Sequence, residues 1–470
     1  MFKRILTALI VILLSQIQLC YAQEFQASDC KKVKPRKVES LAYTEEDTKQ
    51  TGWVTVPVFY ATDRDASCKC FSQIQEPAKA KPNMHYGLRN VVAPRTVQLD
   101  KVDERQLGEA CGWTRTSGRT RPTTDDLKQI AFPHPNQKFT DFQSFSNSLA
   151  AYQDKCVKGQ ARDEIVVFVH GCCQPFNNHI DHAAFLTTWM KVPIISYDWT
   201  SPNVGPTEGK LTTYRKNEIL NQRNQDRFNS FMNSLIAEFG ASRIVIVGHS
   251  MGNRLIENYL VQERTRIVTK ESAPSVQLSK RGSEESVGES DEVVESELQK
   301  KLAADIAGQG RAGISQAEQV LRTQHIKERI KEIIFACADT DAIAFSQHID
   351  KIIRCASITR IIQSKHDDLL AASKFLHGKY SRLGSVDPEV ENLLRPHAIT
   401  KKTRLEVVDV SALDQNHSLP LWVVSSRNKN QDGVNPAMKT INDNGIIRYV
   451  RVPKDEQRGT TVSASQKGRK

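Results

Sequence analysis

Covalent acyl chemistry needs a nucleophile that is held clear of its neighbours and beside a base. In this chain the pentapeptide Gly248-His249-Ser250-Met251-Gly252 fits that need. A serine on a tight strand-to-helix turn presents its hydroxyl outward, and the strained turn requires small flanking residues where other backbone passes close. The surroundings agree: an apolar run, 243–247, comes before it, and a helix-compatible segment, 253–262, comes after. Ser250 is therefore the candidate nucleophile. The N-terminus of the following helix favours the negative charge that develops during acyl transfer.

A tetrahedral oxyanion needs two backbone N–H donors. One comes from the residue after the nucleophile, here Met251, and one from a loop after an earlier strand. The string Phe168-Val169-His170-Gly171-Cys172-Cys173 ends such a strand and opens such a loop. Cys172 is the expected second donor, because Gly171 lets the backbone come close. A cysteine could itself be a nucleophile, but adjacent cysteines in an exported chain are more often bridged than catalytic.

The elements that must position these residues alternate. Trp53–Thr62 is β-rich, and Pro57 within it suggests an edge strand or a bulge. Ile165–Val169 reads as a short buried strand, 178–190 as an amphipathic helix, and 192–197 as the next strand. A helical pattern then runs over 214–239 before the strand at 244–247. Strand signals return at 333–338, 358–362 and 405–410. Short buried strands alternating with helices imply an α/β fold with a mostly parallel sheet covered on both faces.

These residues resemble the bacterial α/β-hydrolase family catalogued as domain of unknown function 900, over most of the ordered chain. The similarity runs through 56–64 as entry strand, Tyr86-Gly87 with 91–94, 168–171 as oxyanion loop, 194–201, and 248–254 with Leu255 as elbow and helix. It continues through 338–341, 364–373 with His377-Gly378, and 407–411 followed by His417-Ser418. The resemblance implies an α/β-hydrolase fold with a serine triad. Two features depart from the family pattern. Cys172-Cys173 stand where an aromatic residue commonly follows His-Gly, and the polar stretch after the elbow helix is longer.

Chain order in this fold is nucleophile, acid, histidine, which places both partners after Ser250 at strand ends and removes His170, His179 and His182 as bases. His417, delivered by the loop after 405–410, is the expected base, ahead of His325, His348, His366, His377 and His397. For the acid, Asp367 follows 358–362 by a short turn and matches the family's Ser-x-x-Asp segment at 364–367. Asp368 is its immediate rival, and Asp339 and Asp341 follow the preceding strand and stay open as alternatives.

The rest of the sequence bounds the setting. Lys3 and Arg4, an apolar core at 5–14 and Cys20-Tyr21-Ala22 read as a secretory signal cleaved after residue 22, so the chain is expected to be exported, periplasmic or secreted. Beyond it no apolar run reaches membrane-spanning length. Residues 23–52 read as a linker-like lead-in, 53–453 as the hydrolase domain, and 454–470 as a disordered tail. Ten cysteines are present. In an exported protein they imply disulfides, with Cys68, Cys70, Cys172 and Cys173 seeking partners among Cys30, Cys111, Cys156, Cys337 and Cys355.

The formal net charge of +11 is scattered, without a basic-aromatic motif, and no nucleic-acid partner is expected. Zinc spacing is lacking, so neither a metal nor a cofactor is implied. The insertion at 268–315 is dense in Ser, Glu, Lys and Gly, and 273–297 carries no aromatic residue. This describes a solvated excursion and not an apolar lid.

The expected function is hydrolysis of a small-molecule or lipid-like acyl ester, less readily an amide, through an acyl-enzyme. An acyltransferase using the same triad and a catalytically silent binding protein on the same fold are the alternatives.

Overall fold

The computed structural model describes residues 53–64, 84–94, 114–116, 136–157, 163–190, 192–202, 210–265, 328–398, 405–411, 437–441 and 447–451. Twelve strands form one sheet. They are β1 Trp53–Thr62, β2 His85–Pro94, β3 Thr114–Thr116, β4 Gln137–Phe139, β5 Ile165–Val169 and β6 Ile194–Asp198. The second half holds β7 Ile244–His249, β8 Ile330–Ala336, β9 Ala356–Gln363, β10 Leu405–Asp409, β11 Ala437–Ile441 and β12 Ile447–Arg451. Their order across the sheet is β11-β12-β10-β9-β8-β7-β5-β6-β1-β2-β4, with β3 also paired to β1. From β1 through β6, β5, β7, β8 and β9 to β10 every neighbouring pair is parallel.

Every residue of β5, β6 and β7 is buried, side chains on both sides included. Strands that bury both faces are mostly apolar, which is why β5 and most of β7 read as continuous Val and Ile runs and not as alternation. Each such side chain contributes roughly 1.5–3 kcal/mol when fully buried. Among the described residues there are eight α-helices: α1 Phe142–Val157, α2 Phe176–Met190, α3 Lys210–Arg223, α4 Gln225–Phe239, α5 Gly252–Tyr259, α6 Ala342–Cys355, α7 Asp368–Leu376 and α8 Pro388–Ala398. The α2 helix packs on β1, β2 and β6, and α6 packs on β9 and α8.

Two expectations are corrected. The opening strand is interior, with β2 along one side and β3 and β6 along the other. Pro57 is tolerated because the second side is paired only at Trp53–Thr55 and again from Phe59 to Thr62, so the proline falls in the gap. The helical pattern over 214–239 is two helices that meet at Asn224. The Asn224 side chain accepts from the Tyr197 hydroxyl at 2.5 Å and donates to Asp63, tying the junction to the ends of β6 and β1.

The expected disulfides are also corrected where they can be seen: Cys172, Cys173, Cys337 and Cys355 are free thiols. Cys337 follows the C-terminal end of β8, and Cys355 precedes the N-terminal end of the parallel β9. They lie at opposite ends of strands about 20 Å long, whereas a disulfide needs Cα atoms within about 7 Å. Cys355 instead lies 3.8 Å from the Leu260 carbonyl and from the Thr265 hydroxyl. Cys30, Cys68, Cys70 and Cys111 fall outside the described residues, as do the signal segment, 23–52, the 268–315 insertion and the tail.

Candidate active site

Ser250 stands between β7 and α5 with φ of 51°, a left-handed conformation that costs a non-glycine residue about 1–3 kcal/mol. Hydrogen bonds of roughly 1 kcal/mol each offset that strain. The Ser250 N–H donates to Ala336 O at 3.1 Å, and the Asp339 N–H donates to Ser250 O at 3.2 Å. The fully buried Asn253 side chain donates to Ser250 O at 3.0 Å and to Ala336 O at 3.1 Å. The elbow is thus pinned to the end of β8 by its backbone and by a side chain from its own helix.

Two glycines bring the loop after β5, the candidate oxyanion loop, against it. A Cβ on Gly171 would stand 2.7 Å from Ser250 Cβ, and one on Gly252 would meet His170 O at 2.3 Å and Val169 O at 2.7 Å. Met251 is buried at the N-cap of α5, directly after Ser250. Cys172 lies half-buried in the loop after β5. A hydrogen bond with Cys173 and burial push the Cys172 thiol well up, so it is a protonated side chain and not a thiolate nucleophile. Cys173 has φ of 61°, and its N–H donates to Asn217 Oδ1 at 3.3 Å, which fastens the loop to α3.

The candidate acids separate by what they already hold. Asp341 caps α6, accepting from the N–H groups of Ile343 and Ala344. Asp368 is exposed in the first turn of α7. Asp339 is buried and encircled: Ser373 Oγ donates to it at 2.5 Å, the Tyr214 hydroxyl donates to its other oxygen, and Arg254 lies 3.2 Å away. Asp367, 4% exposed, stands after β9 at the N-cap of α7, accepting from the Leu370 N–H at 2.9 Å. Its carboxylate neighbours Cys337 and, with burial, raises that thiol's pKa; Cys337 directly follows Ala336, the acceptor of the Ser250 N–H.

His417 lies outside the described residues. Among the other later histidines, His377 is bound to Glu218 at 2.7 Å and to Ser373 O at 2.8 Å, and His397 pairs with Asp350 at 3.1 Å. His366 is exposed.

The sequence reading missed a buried cluster behind the loop after β5. Asp198, at the end of β6, receives the Arg64 Nε at 2.8 and 2.9 Å from its two oxygens and the Thr62 hydroxyl at 2.5 Å. His170 Nε2 lies 3.0 Å and His179 Nε2 2.7 Å from the same Asp198 oxygen. Burial alone would push the Asp198 carboxyl up, but Arg64, His179 and the hydrogen bond with His170 hold it well below the usual carboxylate range. Burial pushes His179 down to about 3, so its ring is neutral, with Nε2 beside Asp198 and Nδ1 2.9 Å from Ser196 Oγ.

His170, His179 and Asp198 have the residue types of a metal-ligand set, with their ligand atoms within 4.8 Å of one another. Here, however, the carboxylate's cation is the Arg64 guanidinium. The signal available in the sequence was a charged residue closing each of two apolar strands, Asp63-Arg64 after β1 and Asp198 ending β6.

A parallel sheet, a strained serine elbow at its centre and a glycine loop pressed against it define the α/β-hydrolase fold. The chain belongs to the family described as alpha/beta hydrolase of unknown function (DUF900), whose model matches residues 146–429. Neither a curated protein nor a solved structure matches it.

Proposed function

We propose that this protein is an exported serine hydrolase that cleaves an acyl ester through Ser250, His417 and Asp367. The observation that carries the reading is Ser250 at φ 51° on the turn between β7 and α5, with Gly171 against its Cβ. Strain of this kind persists where surrounding structure over-determines it, and at a strand-to-helix turn it serves to present a nucleophile.

In the proposed cycle His417 takes the Ser250 proton as Oγ bonds to the acyl carbon. The carbonyl oxygen becomes an oxyanion that accepts from the Met251 and Cys172 N–H groups. Collapse breaks the ester C–O bond, and the proton passes from His417 to the departing alcohol. Water then repeats the sequence and frees Ser250. Asp367 orients His417; its place after β9, next to the strand that leads to His417, supports that role, as does the engagement of Asp339 by Ser373, Tyr214 and Arg254. Export rests on the first 22 residues; among the described residues no helix is long and apolar enough to cross a membrane.

One experiment reads both parts. Protein recovered from the periplasm or medium is treated with a fluorophosphonate probe, digested and sequenced. The chain should begin at Gln23 and carry the label on Ser250, Ser250→Ala should stay unlabelled, and p-nitrophenyl esters of graded length should be hydrolysed. Folded wild type that takes no label would point to a binding protein, and recovery with Met1 attached would remove the cleaved signal.

A further inference from the structure

The cluster behind the oxyanion loop bears directly on the loop's peptide orientation. His170 Nδ1 lies 2.6 Å from Gly171 O, while Nε2 lies 3.0 Å from Asp198 Oδ1 and 3.2 Å from Trp199 O. All of these partners are acceptors, so the ring nitrogen facing Gly171 O serves it as an N–H donor. The ring cannot swing. It is stacked on Trp199 at 5.2 Å and on His179 at 4.6 Å, and the Trp199 indole N–H donates back to His170 O at 2.8 Å. Arg64, through Asp198, fixes the far side.

The carbonyl that His170 grips belongs to the same peptide unit as the Cys172 N–H. Among the described residues every peptide is trans, and in a trans peptide the C=O and N–H point in opposite directions. Holding Gly171 O toward His170 therefore turns the Cys172 N–H the other way. Gly171 is the residue that packs on Ser250 Cβ, so the orientation of this peptide is set beside the nucleophile.

We infer that His170, braced by Asp198 and Arg64, is a positioning residue that fixes the Gly171–Cys172 peptide with its N–H available to the oxyanion. The inference rests on the hydrolase reading above. Rotation of that peptide would put a carbonyl where a donor is needed and cost the hole one of its two N–H groups. Loss of one such donor is worth about 100-fold or more in kcat.

Two substitutions separate the grip from the anchor. His170→Asn keeps an amide nitrogen near the position of Nδ1, facing Gly171 O, and gives up the reach to Asp198. His170→Gln places its amide near the position of Nε2, keeps the reach to Asp198 and gives up Gly171. Steady-state hydrolysis of p-nitrophenyl acetate by the full chain is compared, with circular dichroism as the check on folding. His170→Asn is expected to retain at least 10-fold more kcat than His170→Gln, with KM changed less than about threefold in both. Binding of a boronic acid, which mimics the tetrahedral state, should fall in step with kcat.

Equal kcat in the two variants, or His170→Gln the more active, would overturn the inference and leave His170 as packing. A crystal structure of each variant serves as the readout independent of turnover. A Gly171–Cys172 peptide that is turned in His170→Gln and unturned in His170→Asn supports the inference even if the wild type proves inert toward esters. In that case only the hydrolase reading fails. An unturned peptide in both variants overturns the inference whatever the activity.

Discussion

Asp339 leaves β8 with its carboxylate already taken by Ser373, Tyr214 and Arg254, and Arg254 also pairs with Glu218 at 2.6 Å. This links α3, α5 and α7 over the elbow, and burial together with Asp339 pushes the Tyr214 hydroxyl pKa upward, keeping it a donor. Such a carboxylate holds structure. Removing one member of a buried ion pair costs about 3–5 kcal/mol, whereas removing the charge that orients a catalytic histidine costs about 10⁴-fold in kcat. Asp339→Asn should therefore lower the urea unfolding midpoint while the folded fraction keeps most of its turnover. Asp367→Asn should do the reverse, with kcat down by about 10³-fold or more. Paired denaturation and kinetics decide between them. A near-normal kcat in Asp367→Asn beside an inactive but folded Asp339→Asn would transfer the acid's role to Asp339.

At the scale of elements, Gly252 opens α5 against the carbonyl ends of β5. Helix propensity alone makes Gly252→Ala stabilising by about 1 kcal/mol. The clash decides otherwise: the added methyl would face backbone oxygens of His170 and Val169 at 2.3 and 2.7 Å, which cannot rotate away. Overpacking of that kind costs typically 1–3 kcal/mol, so Gly252→Ala should lower the thermal midpoint and reduce kcat by displacing the oxyanion loop. A raised midpoint with unchanged kcat would show that the strand and helix can part.

The same elements show how much could be read in advance. β5, β7 and the elbow were legible because their information is local, an apolar run followed by small residues at fixed spacing. Pro57 misled because the gap in pairing that tolerates it depends on where β3 and β6 end, more than 50 residues later. The break at Asn224 was hidden for the same reason, since the helical pattern continues across it and only contacts with Tyr197 and Asp63 divide it. Likewise, Arg64 and Asp198 are 134 residues apart, and spacing carries no trace of their pairing. The strands β11 and β12 and the helix α1 were not anticipated at all.

For the molecule as a whole, His179 makes acid the adverse direction. Its folded pKa of about 3 lies below the ordinary 6.5, so between those values the unfolded chain binds a proton that the folded chain refuses. The unfolded state then holds more protons, and stability rises with pH across that window at up to about 1.4 kcal/mol per unit. Asp198 acts in the same sense further down, its depressed carboxyl losing its contribution as the pH falls through the folded value. Between pH 7.5 and pH 5 the wild type should lose about 2 kcal/mol in urea titrations from His179, with a similar share from His182, which burial lowers to about 4, and His179→Asn should remove about half of the slope. An unchanged slope would mean that His179 is not the group responsible.

Arg64 also carries a consequence for where this protein can be cut. The family match opens at residue 146, yet the guanidinium that neutralises Asp198 comes from residue 64, and β1 supplies the ladder along the side of β6 away from β5. A chain trimmed to the matched range would keep serine, elbow and loop while taking the guanidinium from a buried carboxylate and leaving β6 as a raw edge. The unit that evolution conserves enough to recognise and the unit that can fold by itself therefore have different beginnings, and the second starts no later than Trp53.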